Sequence, residues 1–286
     1  MSTRLLILVL PVADVLRNDK RAFSPATLEE TMSIYGKNQK IIVGGYFMLN
    51  SNISWTTHTL NFWRGCTKVS LGCLNCYMFA EQIRYGLDPT VVTRTVRATW
   101  RQVNKFCAGD RVFVCSWSDF FHIDADPWRE EAWEVIRSRP DLIWIIPTKR
   151  PQNIVDRLPQ DWNGGWPNVW LLVSIENQEC ADRRIPVLVD IPASVHGVSI
   201  EPMLGEIDLT PYLPDLQWII VGGESQSGAR PMKEAWAVDI LQQCRRFSTP
   251  FYFKQMGGQD RKKGGNLLQG RHYEEMPFAL KIKGGK

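Results

Sequence analysis

The chain lacks any uninterrupted apolar run of the about 18 residues that a membrane-spanning helix needs, so no transmembrane helix is expected. It lacks an even set of cysteines: seven cannot all pair, which excludes a fully paired disulfide framework and points to a reducing, cytoplasmic location. It lacks a complete secretory signal. Arg4 precedes an apolar stretch over residues 5–10, but Pro11 breaks it and no A-x-A-type cleavage site comes after. Charge of one sign is only slightly in excess: 34 Lys and Arg stand against 30 Asp and Glu, a net +4. That balance permits nucleic acid contact without arguing for it. A composition of 44% apolar and 22% charged residues excludes a wholly disordered or collagen-like chain.

At 286 residues the chain fits two domains, or one barrel with an extension. Its twelve Trp are expected in the core or stacked on a ligand. Residues 1–47 differ in character from the remainder of the chain. Residues 14–40 are mostly polar, with one weak helical pattern around Leu28, Met32 and Tyr35, and read as an N-terminal extension. Gly44-Gly45, encoded GGN-GGN, is compatible with a ribosome-binding sequence just upstream of Met48, so natural translation is expected to start there if the gene is bacterial or phage. The expected organisation is an extension over residues 1–47, a barrel-like domain over 48–258 and a C-terminal tail over 259–286.

From Arg111 onward, short β-rich runs recur at 111–116, 142–147, 169–174, 194–200, 217–221 and 251–253. Their starts lie 31, 27, 25, 23 and 34 residues apart, a spacing that suits βα units. Continuous apolar strands suit a parallel sheet covered on both faces. Three of the strands share an entry: Pro140-Asp141, Pro167-Asn168 and Pro214-Asp215, each a turn ahead of a buried run. Residues 128–137 and 236–246 carry apolar side chains at helical spacing. Each strand ends in polar, reactive or glycine residues: Ser116-Trp117-Ser118-Asp119, Thr148-Lys149-Arg150-Pro151, Ser174-Ile175-Glu176-Asn177, Glu201-Pro202-Met203, Gly222-Gly223-Glu224-Ser225 and Lys254-Gln255. In parallel α/β barrels the site is built at the C-terminal ends of the strands, so six polar ends in succession predict one common site.

The most specific motif is Gly65-Cys66-Thr67-Lys68-Val69-Ser70-Leu71-Gly72-Cys73-Leu74-Asn75-Cys76-Tyr77, a C-x6-C-x2-C spacing. Thiolates are soft ligands that suit zinc and iron–sulfur clusters. The glycines before Cys66 and Cys73 are expected to let the backbone bend round a site, and residues 77–84 look helical. Three readings compete. Structural zinc normally closes with four ligands. No second CxxC exists, Cys107, Cys115, Cys180 and Cys244 are scattered, and His58 is a distant fourth candidate. A redox CxxC would leave Cys66 unexplained. An iron–sulfur cluster held by three cysteines leaves one iron open, as catalysis requires.

These residues carry a resemblance. The cysteine loop, Ser118-Asp119-Phe120-Phe121-His122, Thr148-Lys149-Arg150-Pro151, Val173-Ser174-Ile175-Glu176-Asn177-Gln178, Ser199-Ile200-Glu201-Pro202-Met203-Leu204, Gly222-Gly223-Glu224-Ser225 with Ala229-Arg230-Pro231-Met232, and Phe253-Lys254-Gln255 occur in order over residues 53–258. Together they resemble a phage and bacterial family of unknown function named after phage gene products thirty-seven and sixty-eight. That family in turn resembles radical S-adenosylmethionine enzymes. The resemblance implies an α/β fold, a partial parallel (β/α) TIM-like barrel of the radical S-adenosylmethionine type with a three-cysteine loop after its first strand. It implies a 4Fe-4S cluster on Cys66, Cys73 and Cys76 whose open iron chelates S-adenosylmethionine, and one-electron cleavage of that cofactor to methionine and a 5′-deoxyadenosyl radical. The usual loop there is C-x3-C-x2-C, so this longer one departs from the pattern. Members are often encoded near a three-Cys-motif partner protein, which the resemblance adds as a partner.

The resemblance and the residue types suggest roles for the strand ends. Ser116 and Asp119 would meet the methionine amino group; Asp119 as a helix N-cap is the plainer alternative. His122 would be a proton donor or structural. Lys149 and Arg150 would neutralise a carboxylate or phosphate, or lie in a solvated loop, and Pro151 marks a helix start. Glu176 and Asn177 would bind ribose hydroxyls. Glu201, ahead of Pro202, is a carboxylate on a rigid turn, for function or for an internal salt bridge. Gly222-Gly223-Glu224-Ser225 lacks the phosphate-loop pattern, and paired glycines read better as close backbone approach to a ligand. Arg230 would clamp a substrate anion, and Lys254 with Gln255 would close the site. The basic clusters Arg261-Lys262-Lys263 and 281–286 read as a solvated tail. The expectation is an iron–sulfur, radical S-adenosylmethionine-like phage enzyme that modifies a nucleotide or nucleic acid. The alternative is a zinc-stabilised, non-enzymatic nucleic-acid-binding protein, which predicts basic and aromatic residues clustered on one open face.

Overall fold

Runs rich in Val, Ile, Leu and Trp, bounded by Pro, Asp and Gly, satisfy their backbone groups best as paired strands. The computed structural model describes residues 51–259 and 264–277, all within one compact unit, Gly45–Lys286. Nine strands form: β1 (His58–Leu60), β2 (Trp63–Arg64), β3 (Thr93–Arg94), β4 (Arg111–Val114), β5 (Ile143–Thr148), β6 (Val169–Ile175), β7 (Val195–Ile200), β8 (Trp218–Gly222) and β9 (Phe251–Gln255). The helices are α1 (Tyr77–Arg84), α2 (Arg97–Trp100), α3 (Asp126–Arg137), α4 (Gln178–Val189) and α5 (Glu234–Phe247). Seven strands make one sheet in the order β1-β4-β5-β6-β7-β8-β9, with every neighbour parallel. The sheet curls into a half-barrel, the mixed α/β architecture that the repeating βα units predict. β2 and β3 form a separate antiparallel pair.

All six strands expected from the sequence are present. β1 is implied by the resemblance alone, because three residues are too few to show a pattern. α4 is not anticipated either: Pro186 stands inside it, and proline is read as a helix breaker.

Two apolar cores sort the faces of the sheet. The larger joins strand residues such as Leu171, Val173, Val198 and Val221 to the helix residues Trp133, Ile136, Ile185 and Ile240. The smaller contains no helix residue: Trp55, Ile145, Trp170, Leu172, Val195, Trp218, Ile220 and Tyr252. It therefore fills the concave side. Trp218 is its centre, with Trp55, Trp170 and Tyr252 packed edge-on at 6.0, 5.8 and 6.3 Å between ring centroids. Strand alternation then decides what lies above this aromatic plug. Inward positions run Trp170, Leu172, Ser174, Glu176 on β6 and Val195, Gly197, Ser199, Glu201 on β7, from apolar through small to charged. The barrel interior is thus sealed at one end and polar at the C-terminal end.

The tail boundary needs correction. Residues 264–277, assigned above to a tail, pack on the domain: Leu268 is fully buried, Phe253 N–H donates to the Tyr273 carbonyl at 2.8 Å, and Glu275 pairs with Arg245. This segment covers β9, which is otherwise an open sheet edge. The extension 1–47, the Met48 start and the basic clusters 261–263 and 281–286 lie outside the described residues. Among the described residues no helix is long and apolar enough to cross a membrane.

Candidate functional site

The cysteine loop leaves the C-terminal end of β1 and lies across the mouth of the half-barrel. Gly65 opens it at φ +85°, and a Cβ there would stand 2.1 Å from the Val91 carbonyl oxygen, so only glycine fits. Gly72 has no such backbone need; it packs against the Glu176 carboxylate instead. Helix α1 begins immediately after Cys76.

Nearly every neighbouring strand end fastens this loop. From β4, Ser118 Oγ donates to the Gly65 carbonyl at 2.5 Å, and Gly65 N–H donates to the Trp117 carbonyl at 3.1 Å. Ser116 offers its carbonyl to the Tyr77 hydroxyl at 2.8 Å, while its own hydroxyl lies 3.4 Å from Asn61. After β5, the Arg150 guanidinium donates to the Thr67 carbonyl at 2.7 Å and to Thr67 Oγ1 at 2.8 Å, and reaches Cys66 Sγ at 3.5 Å. Asp119 orients it: one carboxylate oxygen accepts from Arg150 at 3.1 Å and from the Lys149 N–H at 3.0 Å, the other from Thr148 Oγ1 at 2.7 Å and from the Phe121 N–H. Both residues are buried, so Arg150 is not in a solvated loop. After β6, Glu176 accepts from the Gly72 N–H at 3.2 Å. After β8, Glu224 accepts from the Asn75 amide at 3.0 Å, and Arg230 clamps Glu224 while donating to the Leu71 carbonyl at 2.9 Å.

The site carboxylates are all engaged by partners within the chain. Glu176 is fully buried and ion-paired with Arg184 at 3.0 Å and Lys149 at 3.8 Å. Burial pushes its carboxyl up, yet Lys149, the Ser70 hydroxyl and Arg184 together outweigh that and hold it at about 2, so it is ionised. Burial likewise pushes the Glu224 carboxyl up, and its hydrogen bonds to Arg230 and Asn75 bring it below the ordinary value. Glu201 forms an internal salt bridge with Lys254 at 2.5 Å and accepts from Ser199 Oγ at 3.2 Å. Lys149 Nζ donates to the Glu201 carbonyl at 3.2 Å, which links Glu201 to Glu176. Asn177 caps α4 by accepting from the Cys180 N–H at 3.0 Å. Gly222 packs on Glu201, and a Cβ on Gly223 would stand 2.0 Å from the Met256 carbonyl oxygen. That close approach is to the chain's own backbone. Gln255 binds the Gly223 carbonyl and Ser225.

His122 is structural in this arrangement. Its Nδ1 accepts from the Asp124 N–H, which leaves Nε2 to donate to Thr67 Oγ1 at 3.0 Å. Burial and Arg150 depress its basicity and favour this neutral tautomer.

Three thiols on one loop are a soft donor set. Cys66, Cys73 and Cys76 are free and partly buried, and Cys66 and Cys76 both feel the charge of Cys73. Burial, then Asp119, pushes the Cys66 thiol up to about 12, and burial raises Cys76. A metal would therefore displace protons from them. Among the described residues no three His, Cys, Asp or Glu side chains converge on one metal ion. As donors, three soft thiolates on one loop fit an iron–sulfur cluster and also zinc. Of the other cysteines, Cys115, Cys180 and Cys244 are buried and Cys107 is exposed; Cys180 hydrogen-bonds Glu176.

The sequence reading missed Asn61, Asn75, Tyr77 and Arg184. Asn75 sits inside the motif itself. Arg184 had a signal: it occupies a buried-face position of α4, with Cys180, Ala181, Ile185 and Leu188, where the helical period calls for an apolar side chain.

No curated protein and no solved structure matches the chain. A family model described as a protein of unknown function, DUF5131, matches residues 50–277, which include the cysteine loop, every strand of the sheet and the segment that folds back over β9. The chain belongs to the DUF5131 family.

Proposed function

We propose that this protein is an iron–sulfur enzyme of the radical S-adenosylmethionine kind, with Cys66, Cys73 and Cys76 holding a 4Fe-4S cluster. The observation that carries the reading is the cysteine loop itself: it comes after the first strand of a curled parallel sheet and is fastened across the sheet's C-terminal mouth by Ser118, Arg150, Glu176, Glu224 and Arg230. A loop held from so many strand ends keeps three thiols at fixed positions, which pre-organises a multidentate site. The group, once bound, supplies one electron for reductive cleavage of S-adenosylmethionine.

The residues of the chain have their own tasks in this reading. Arg150 places a positive charge at Cys66 Sγ and favours its thiolate form. Glu176 holds the Gly72 N–H and Glu224 holds the Asn75 side-chain amide, one on each side of Cys73. Lys149, Glu201 and Lys254 line the polar end of the barrel interior, and the aromatic plug beneath them excludes water from below. Ser116 and Asn61 lie beside Tyr77 at the rim, where polar cofactor groups would approach.

The test is elemental analysis of protein purified without oxygen, beside a Cys66→Ala, Cys73→Ala, Cys76→Ala variant. About four iron and four acid-labile sulfide per chain, lost in the variant, are expected. One zinc without sulfide would overturn the reading in favour of a zinc-stabilised protein.

A further inference from the structure

The distribution of charge in this chain is uneven. Residues 61–105, which contain the cysteine loop, α1, β3 and α2, hold seven Lys or Arg against two Asp or Glu, a net +5. The whole chain carries +4. All of its positive excess therefore lies in this one segment, and the rest is slightly acidic.

These cations are on the surface. Lys68, Arg84, Arg97 and Arg101 are exposed, and Arg64 and Arg94 are half-buried, Arg94 being paired with Glu131 of α3. Among the described residues, Arg64, Arg84, Arg97 and Arg101 take part in no ion pair, whereas the arginines at the barrel mouth, Arg150, Arg184 and Arg230, are each paired with a carboxylate. Arg97 and Arg101 stand one helical turn apart, about 6 Å along the axis. The same segment exposes apolar side chains that a soluble surface ordinarily buries: Leu71 at 64%, Ile83 at 63%, Val96 at 62%, Leu74 at 57% and Val91 at 54%. Unpaired arginine with interleaved apolar surface fits an unpaired nucleic acid strand, whose phosphates take the cations and whose bases take the apolar contacts. A duplex hides its bases and would use only the charge.

The segment also leads to the site. Cys66 N–H donates to the Pro89 carbonyl at 2.8 Å, and Arg64 pairs in register with Thr93. The stretch between Pro89 and Arg94 is thus the wall of the cysteine loop. We propose that residues 61–105 form a docking face for single-stranded nucleic acid, which makes a nucleic acid strand the substrate class of the site. The substrate assignment rests on the enzyme reading above; the docking face does not.

The experiment is fluorescence anisotropy with a labelled 20-nucleotide single strand of mixed sequence, titrated at several salt concentrations. It is run on the iron-loaded protein and on the triple cysteine variant, so that a failed cluster and a failed docking face give different results. R97Q/R101Q removes two cations outside the cysteine loop. It is expected to weaken binding about 25-fold at 0.1 M salt and to lower the salt slope by about 1.4, because single strands release about 0.7 counterion per neutralised phosphate. R183Q/R246Q, on the exposed faces of α4 and α5, makes the same charge change elsewhere and is expected to leave binding unchanged. Circular dichroism melting shows that each variant is folded. The proposal is overturned if the strand does not bind at 50 mM salt, or if the two double variants weaken binding equally. It is also overturned if a duplex of the same length, acidic polypeptide or anionic vesicles bind as tightly as the single strand.

Discussion

Glu176 connects the polar interior of the barrel to the cysteine loop, and replacing it with Gln isolates the worth of its charge. The carboxylate is fully buried, with Arg184 at 3.0 Å, Lys149 at 3.8 Å and the Gly72 N–H at 3.2 Å. Arg184 is itself buried, and its Nε and Nη2 have no hydrogen-bond partner among the described residues. Glu176→Gln would leave that guanidinium without a counter-charge, which costs about 3–5 kcal/mol. Proton linkage leads to the same quantity. A carboxyl held at about 2 in the folded protein, against 4.5 ordinarily, corresponds to about 3 kcal/mol of folded-state stabilisation. Because the folded value is depressed, this stability is fully present above about pH 4.5 and is lost as the pH falls towards 2. Urea denaturation of wild type and variant between pH 3 and pH 7 reads both effects. The variant should be about 3 kcal/mol less stable at pH 7, with the gap narrowing as the wild type approaches pH 3. A loss under 1 kcal/mol, or a gap that stays constant with pH, would refute the account of a charge held by Arg184 and Lys149.

Two other predictions concern the anchors. Arg150→Met leaves Asp119 buried without its cation and frees the Thr67 end of the loop, so stability should fall by about 3–5 kcal/mol and the backbone amides of residues 66–68 should exchange their hydrogens faster; unchanged exchange there would show that Arg150 does not hold the loop. Gly223→Ala drives a methyl group to 2.0 Å from the Met256 carbonyl oxygen, so β8 and the chain after β9 must separate, at about 3 kcal/mol, seen as a lower thermal midpoint. An unaltered midpoint would mean that the two backbones are not in contact.

Local and periodic features were legible in the amino-acid order alone. The β-rich runs spaced as βα units announced a parallel sheet, since buried strands and their turns leave a pattern within a few residues of each other. The cysteine loop was legible because its three thiols fall within eleven consecutive residues. Polar residues at six strand ends predicted one shared site, because a parallel sheet points all its C-terminal ends the same way. Tertiary structure alone decided which partners those residues meet. Arg230 and Arg150, which the pattern offered to a substrate anion, are held by Glu224 and Asp119, partners six and thirty-one residues away in sequence. Gly223 approaches Met256, and the tail returns to cover β9, because an edge strand and a close backbone contact depend on which segments meet in space. The concentration of basic residues within 61–105 is readable as charge in one dimension. Whether a cation is free or neutralised depends on carboxylates brought from elsewhere in the chain, and only the fold supplies that.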